Sequence, residues 1–110
     1  MKEAIMKEYI DNCAYKEITE FPIVIDFSEC KTWDGLHNLL KEKFGFPDFY
    51  GKNWPALWDL LQGLFDEDVE VHLYGIEKLR KKLPICACEM LNIFNDIHKD
   101  TPNVVFKIMT

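Results

Sequence analysis

Three short runs rich in β-branched residues limit what this chain can become: FPIVIDFS at 21–28, VEVHLYG at 69–75 and NVVFKIM at 103–109. Each reads as a strand. Between successive runs lie two segments of helical periodicity. In TWDGLHNLLKEKFGFP, Leu36, Leu39, Leu40 and Phe44 recur so that all face one side of a helix. Thr32 can cap its start, and Gly45 and Pro47 stop it. NWPALWDLLQGL supplies the next helix, with Asn53 as cap and Pro55 in the first turn, where a missing N–H costs nothing. After the second run, IEKLRKK forms a short helix. Pro84 opens a longer one with Cys86, Met90, Ile93, Phe94 and Ile97 on one face, which Pro102 ends. Strand, two helices, strand, two helices, strand predicts an α/β fold, a small parallel sheet with right-handed crossovers. Val69, Val71 and Leu73 alternate with Glu70, His72 and Tyr74, so the second strand is expected to have one wet face and to lie at an edge.

At 110 residues the chain holds one domain. The expected division is an N-terminal extension over 1–21 and a folded unit over 22–110. Within the extension, Ile5, Met6, Tyr9, Ile10 and Cys13 recur at helical spacing and predict a short amphipathic helix. The N-terminus lacks the apolar stretch of a secretory signal, and no apolar run reaches the length of a membrane span. A cytoplasmic protein without membrane contact is therefore expected. Cys13, Cys30, Cys86 and Cys88 show no zinc or redox spacing and are expected to be free thiols. His37, His72 and His98 fall in separate elements with no pairing at i, i+4, so neither a metal site nor another cofactor is expected.

The formal net charge of −6 argues against a nucleic-acid binder, whose affinity comes from neutralising phosphate. It suits a partner with a basic cleft. The basic cluster EKLRKK has no aromatic company and reads as the solvated face of a short helix.

DFYGKNWPALWDLLQGLF at 48–65 asks for more explanation than a core helix needs. Leu57, Leu60, Leu61 and Leu64 form one arc, with Trp54 near its border and Trp58 at its edge. Pro55, Asp59 and Gln62 lie on the far side. A tryptophan beside an aspartate, turned from the core, combines a large rigid area with a directed charge, as binding surfaces do. The plainer reading packs Trp58 under the following loop and leaves Asp59 as solvated surface; periodicity alone does not choose. Phe49 and Tyr50 beside Gly51 add aromatic weight to the loop, although one ring is free to cover the sheet instead.

FYGKNWPALWDLLQGL, preceded by LHNLLKEKFGFP, resembles the barstar family of ribonuclease inhibitors over about residues 22–110. The resemblance implies a compact α/β domain with a three-stranded parallel sheet and about four helices. It further implies an intracellular inhibitor, not an enzyme, that plugs the active site of a barnase-like secreted ribonuclease and is a monomer when free. On that basis Asp59 is the residue that reaches the enzyme's phosphate pocket. Gly51, Asn53, Trp54, Gln62 and Gly63 match contact positions. Trp58 is the tryptophan of the Trp-Asp pair, and Phe49 stands where some members carry tyrosine. Asp96 and Asp66 match further acidic contacts. Pro55 departs from the pattern, since members commonly place a second acidic residue there. That departure keeps open a different basic toxin or nuclease as the partner. A small hydrolase using cysteine, or an Asp/His arrangement, is the alternative from another class.

Overall fold

The structure, a computed structural model, describes residues 15–110; the helix expected within the first 14 residues lies outside them. The chain runs β1 (Ile23–Asp26), α1 (Trp33–Phe44), α2 (Trp54–Leu61), β2 (Val69–Tyr74), α3 (Ile76–Lys82), α4 (Pro84–Asp100) and β3 (Val104–Ile108). This is the order expected from the sequence.

Local signals place the boundaries. Thr32 Oγ1 accepts the Gly35 amide at 3.0 Å and caps α1, whose far end turns at Gly45 with φ 66°. Asn53 Oδ1 accepts the Ala56 amide at 2.8 Å and caps α2, with Pro55 in the first turn. Pro84 opens α4. An aligned cap satisfies an amide that would otherwise have no partner, which is why these residue types sit at these ends.

The three strands are parallel, in the order β1-β2-β3. Val71 stands opposite Ile23 on one side and Phe106 on the other. The expected edge position of β2 is therefore wrong: β2 is the central strand. Its alternation is nonetheless real, with Val69, Val71 and Leu73 buried while Glu70 and Tyr74 are exposed. An alternating pattern reports that one face of the sheet is wet and carries no information about hydrogen bonding at the strand's sides. The open face carries Glu70, which pairs with His72 at 2.9 Å and with Lys107 of β3 at 3.0 Å.

On the covered face, Ile25, Phe27, Leu36, Leu40, Phe44, Leu57, Leu73, Leu79 and Met90 are fully buried. α1 packs on β1, and α4 packs on β3, α3 and α2. Phe94 of α4 stacks on Phe106 of β3 with centroids 4.5 Å apart. The apolar arc of α4 is rotated slightly from expectation: Ala87, Met90, Phe94 and Ile97 are buried, while Cys86 and Ile93 are half-buried. No helix among the described residues is long and apolar enough to cross a membrane.

Candidate functional site

Helix α2 separates two sets of side chains. Leu57 and Leu61 are buried, and Leu60 and Leu64 pack partly against the core. Pro55, Asp59 and Gln62 are exposed on the opposite side. Asp59 makes no salt bridge or side-chain hydrogen bond to the described residues; it projects from a helix whose inner face is fixed. Trp58 is half-buried against the core cluster, so its ring is shared between the interior and the surface. Gln62 ends the helix in an extended conformation and Gly63 follows at φ 71° with open space around it, a backbone that favours glycine. Asp66, Glu67 and Asp68 are exposed in the following loop, and none joins an ion pair among the described residues.

The loop before α2 divides its two aromatic rings. Phe49 is 63% exposed, whereas Tyr50 is buried. The Tyr50 hydroxyl meets Nδ1 of His37, a fully buried histidine of α1. The rings of Trp33 and Trp54 lie 4.4 and 4.7 Å from the imidazole centroid and 5.2 Å from each other. Burial holds Tyr50 well above the usual phenol range, so its hydroxyl keeps its proton. That hydroxyl has no other acceptor among the described residues, so it donates to Nδ1. Nε2 then carries the imidazole proton, and it has no hydrogen-bond partner among the described residues. Burial, helped by the nearby Lys52 cation and opposed by Asp34, pushes the His37 pKa down to about 4.

Two further contacts pin the loop from α1. The Trp33 indole N–H donates to the Lys52 carbonyl at 2.9 Å, and Lys52 Nζ donates to Asp34 at 2.8 Å. Lys52 sits in the left-handed region at φ 51°, a conformation disfavoured for a residue with a Cβ and found where surrounding contacts impose it. Asn53 holds the turn from both sides. Its amide donates to the Gly51 carbonyl at 3.2 Å while its Oδ1 caps α2. Asn53→Ala is expected to lower stability by about 1 kcal/mol, and Asn53→Asp to recover most of it, because a carboxylate also accepts the Ala56 amide and suits a helix N-terminus. Urea denaturation of the three proteins checks this; equal midpoints would show that the cap contributes nothing.

Phe49, Gly51, Asn53, Trp54, Trp58, Asp59, Gln62 and Gly63 thus lie on one loop-helix segment anchored by α1. Trp54 is half-buried, and its indole N–H is enclosed without a partner among the described residues. Asp66 follows in the same run. Asp96 is exposed on α4, the helix that packs against α2, and no bond among the described residues joins it to α2. Asp48, at the start of the segment, is engaged by Lys16 and Lys41 at 3.3 Å each, and those bonds lower its pKa. The sequence reading missed the His37, Trp33 and Lys52 framework. Its signal was present, since Trp33, His37, Leu40 and Phe44 share the helical spacing of the α1 core face.

Among the described residues no group of three or more His, Cys, Asp or Glu side chains is placed to hold a metal. Cys30, Cys86 and Cys88 are free thiols, and burial together with Asp26 pushes the Cys30 thiol up.

The sequence profile of the family described as Barstar (barnase inhibitor) matches residues 20–110. A Bacillus subtilis (strain 168) protein named "Putative ribonuclease inhibitor YrdF" is 33% identical over 87 residues, which cover 79% of this chain and 94% of that protein.

Proposed function

The chain belongs to the barstar family, and from that premise we propose that it is an intracellular, non-enzymatic inhibitor that blocks the active site of a secreted microbial ribonuclease. The observation that carries the reading is Asp59. Its carboxylate is exposed, free of partners among the described residues, and held outward by a helix buried on its other side. A ribonuclease must direct cations toward phosphate oxygens. A rigid carboxylate takes the phosphate's place by accepting charge-assisted hydrogen bonds, bidentate where an arginine presents its fork. In this reading Phe49, Gly51, Asn53, Trp54, Trp58, Gln62 and Gly63, on the same loop-helix segment, supply contact area, and Asp66 and Asp96 add acidic contacts. Inhibition then needs no bond-making step, only occupation of the cleft. Exposed negative charge at 66–68 raises the encounter rate and makes association sensitive to salt.

The direct test is titration of barnase with this protein while RNA cleavage is followed. A stoichiometric loss of cleavage is the expected result. No inhibition of barnase, nor of any ribonuclease secreted by the same source, would overturn the reading.

A second partner class is favoured by one residue of the same segment. Pro55 is exposed where a carboxylate is common in the family. It fits a basic toxin or nuclease domain whose cleft differs from that of barnase and does not need that carboxylate. Binding to such a domain without inhibition of barnase would choose this reading. Nothing comparable favours a hydrolase: the Cys30 thiol is pushed away from its nucleophilic form, and the three histidines engage Tyr50, Glu70 and the Val104 carbonyl.

A further inference from the structure

Helix α2 lacks the usual means of closing its C-terminal end. It has only eight residues, no basic residue in its last turn, and an extended Gln62 at the cap, with the left-handed Gly63 one position further on. The Gln62 amide returns to the Trp58 carbonyl at 2.9 Å, and the Leu64 amide to the Leu61 carbonyl at 3.1 Å. The Leu60 carbonyl receives its hydrogen bond from elsewhere: the Tyr15 hydroxyl donates to it at 2.7 Å.

Tyr15 comes from a stretch that precedes the family-matched span of 20–110, and that stretch is fixed to the body at several points. The Lys16 amide donates to the Gly45 carbonyl at 2.7 Å. Lys16 Nζ pairs with Asp48. The Tyr15 ring meets Phe46 edge-on at 6.3 Å, and Ile18 packs on the core. The approach at Gly45 is close enough that a Cβ there would stand 2.3 Å from the Lys16 carbonyl oxygen. A strap over 15–18 therefore ties the turn after α1 to the last turn of α2, one residue from Asp59.

We propose that Tyr15 is a positioning residue: it supplies the missing C-terminal cap of α2 and so presets the turn that presents Asp59. The capping role stands on geometry alone, while its consequence for inhibition rests on the ribonuclease reading above. Tyr15 does not touch the partner in this scheme. Its loss lowers the fraction of molecules whose α2 end is ready to bind, which slows association and leaves dissociation unchanged.

The test uses the full chain and Tyr15→Phe, which keeps the ring on Phe46 and removes only the hydroxyl. Amide hydrogen exchange of the free protein is expected to quicken about three- to tenfold at Gln62 and Leu64, with β2 and α4 unaffected. Against barnase, the association rate is expected to fall by a similar factor at constant dissociation rate. Unchanged exchange at Gln62 and Leu64 would overturn the cap. Faster exchange with unaltered association, or a change confined to dissociation, would overturn the positioning role. If the unaltered chain binds neither barnase nor any ribonuclease secreted by the same source, the ribonuclease reading fails, and exchange alone decides whether Tyr15 caps α2.

Discussion

Asp59→Ala is expected to weaken binding to a cognate ribonuclease by roughly a hundredfold or more while leaving the free protein as stable as before, or slightly more so. Charge-assisted hydrogen bonds contribute about 1.5–3 kcal/mol each, and a bidentate pair to arginine loses both at once; about 1.4 kcal/mol is tenfold in affinity. Stability moves the other way for reasons local to α2. Asp59 lies in the last turn, where the helix dipole disfavours an anion. It has no partner among the described residues, and Asp66, Glu67 and Asp68 add like charge in the loop beyond. Alanine removes that repulsion and is the better helix former. Urea melts paired with inhibition titrations check both halves. A loss of more than about 1 kcal/mol of stability would make Asp59 a structural residue, contrary to its exposure.

The second large effect is a loss of stability on mild acidification, traced to His37. Its pKa in the folded protein is about 4, against an ordinary value near 6.5 in the unfolded chain. Between those values the unfolded state binds more protons than the folded one. The stabilisation is therefore complete above about pH 6.5 and is lost as pH falls toward 4. The loss amounts to about 3 kcal/mol, because every tenfold difference in proton affinity between the two states is worth about 1.4 kcal/mol. The groups facing the imidazole are Tyr50, which stays neutral, Lys52, whose cation opposes protonation, and Asp34, whose carboxylate favours it. Asp26, Asp34, Asp48 and Glu70 have lowered pKa values and give up their own contributions at lower pH, through the carboxylate range. His37→Gln separates the two effects. Its stability is expected to change little between about pH 7 and 5, where the natural protein already loses part of the His37 contribution. An equal slope in both proteins would assign the titration to another group.

The sequence exposes the fold because its local signals agree with one another. Thr32, Asn53, Pro55 and Pro84 each stand at the helix end their chemistry suits, and each β-branched run became a strand. The position of β2 was not legible from alternation, because Glu70, His72 and Tyr74 would face water on a central strand or an edge strand alike when that side of the sheet has no cover. At the candidate site, the outward direction of Asp59 and Gln62 followed from helical spacing. The different fates of Phe49 and Tyr50 did not, since loop residues have no period to read. Likewise, the hold of Trp33 and Asp34 on Lys52 joins residues 19 and 18 positions apart, and a contact between loop and helix at that separation is a product of tertiary packing. Tyr15 lies further still from its partner Leu60, and no local pattern marks a tyrosine as the cap of a helix so distant in the chain.

The division of α2 into an anchored inner side and an unencumbered outer one has an evolutionary consequence. In the proposed inhibitor, substitutions at 55, 59 and 62 would change recognition without disturbing the buried Leu57 and Leu61, so specificity can change at little cost in stability.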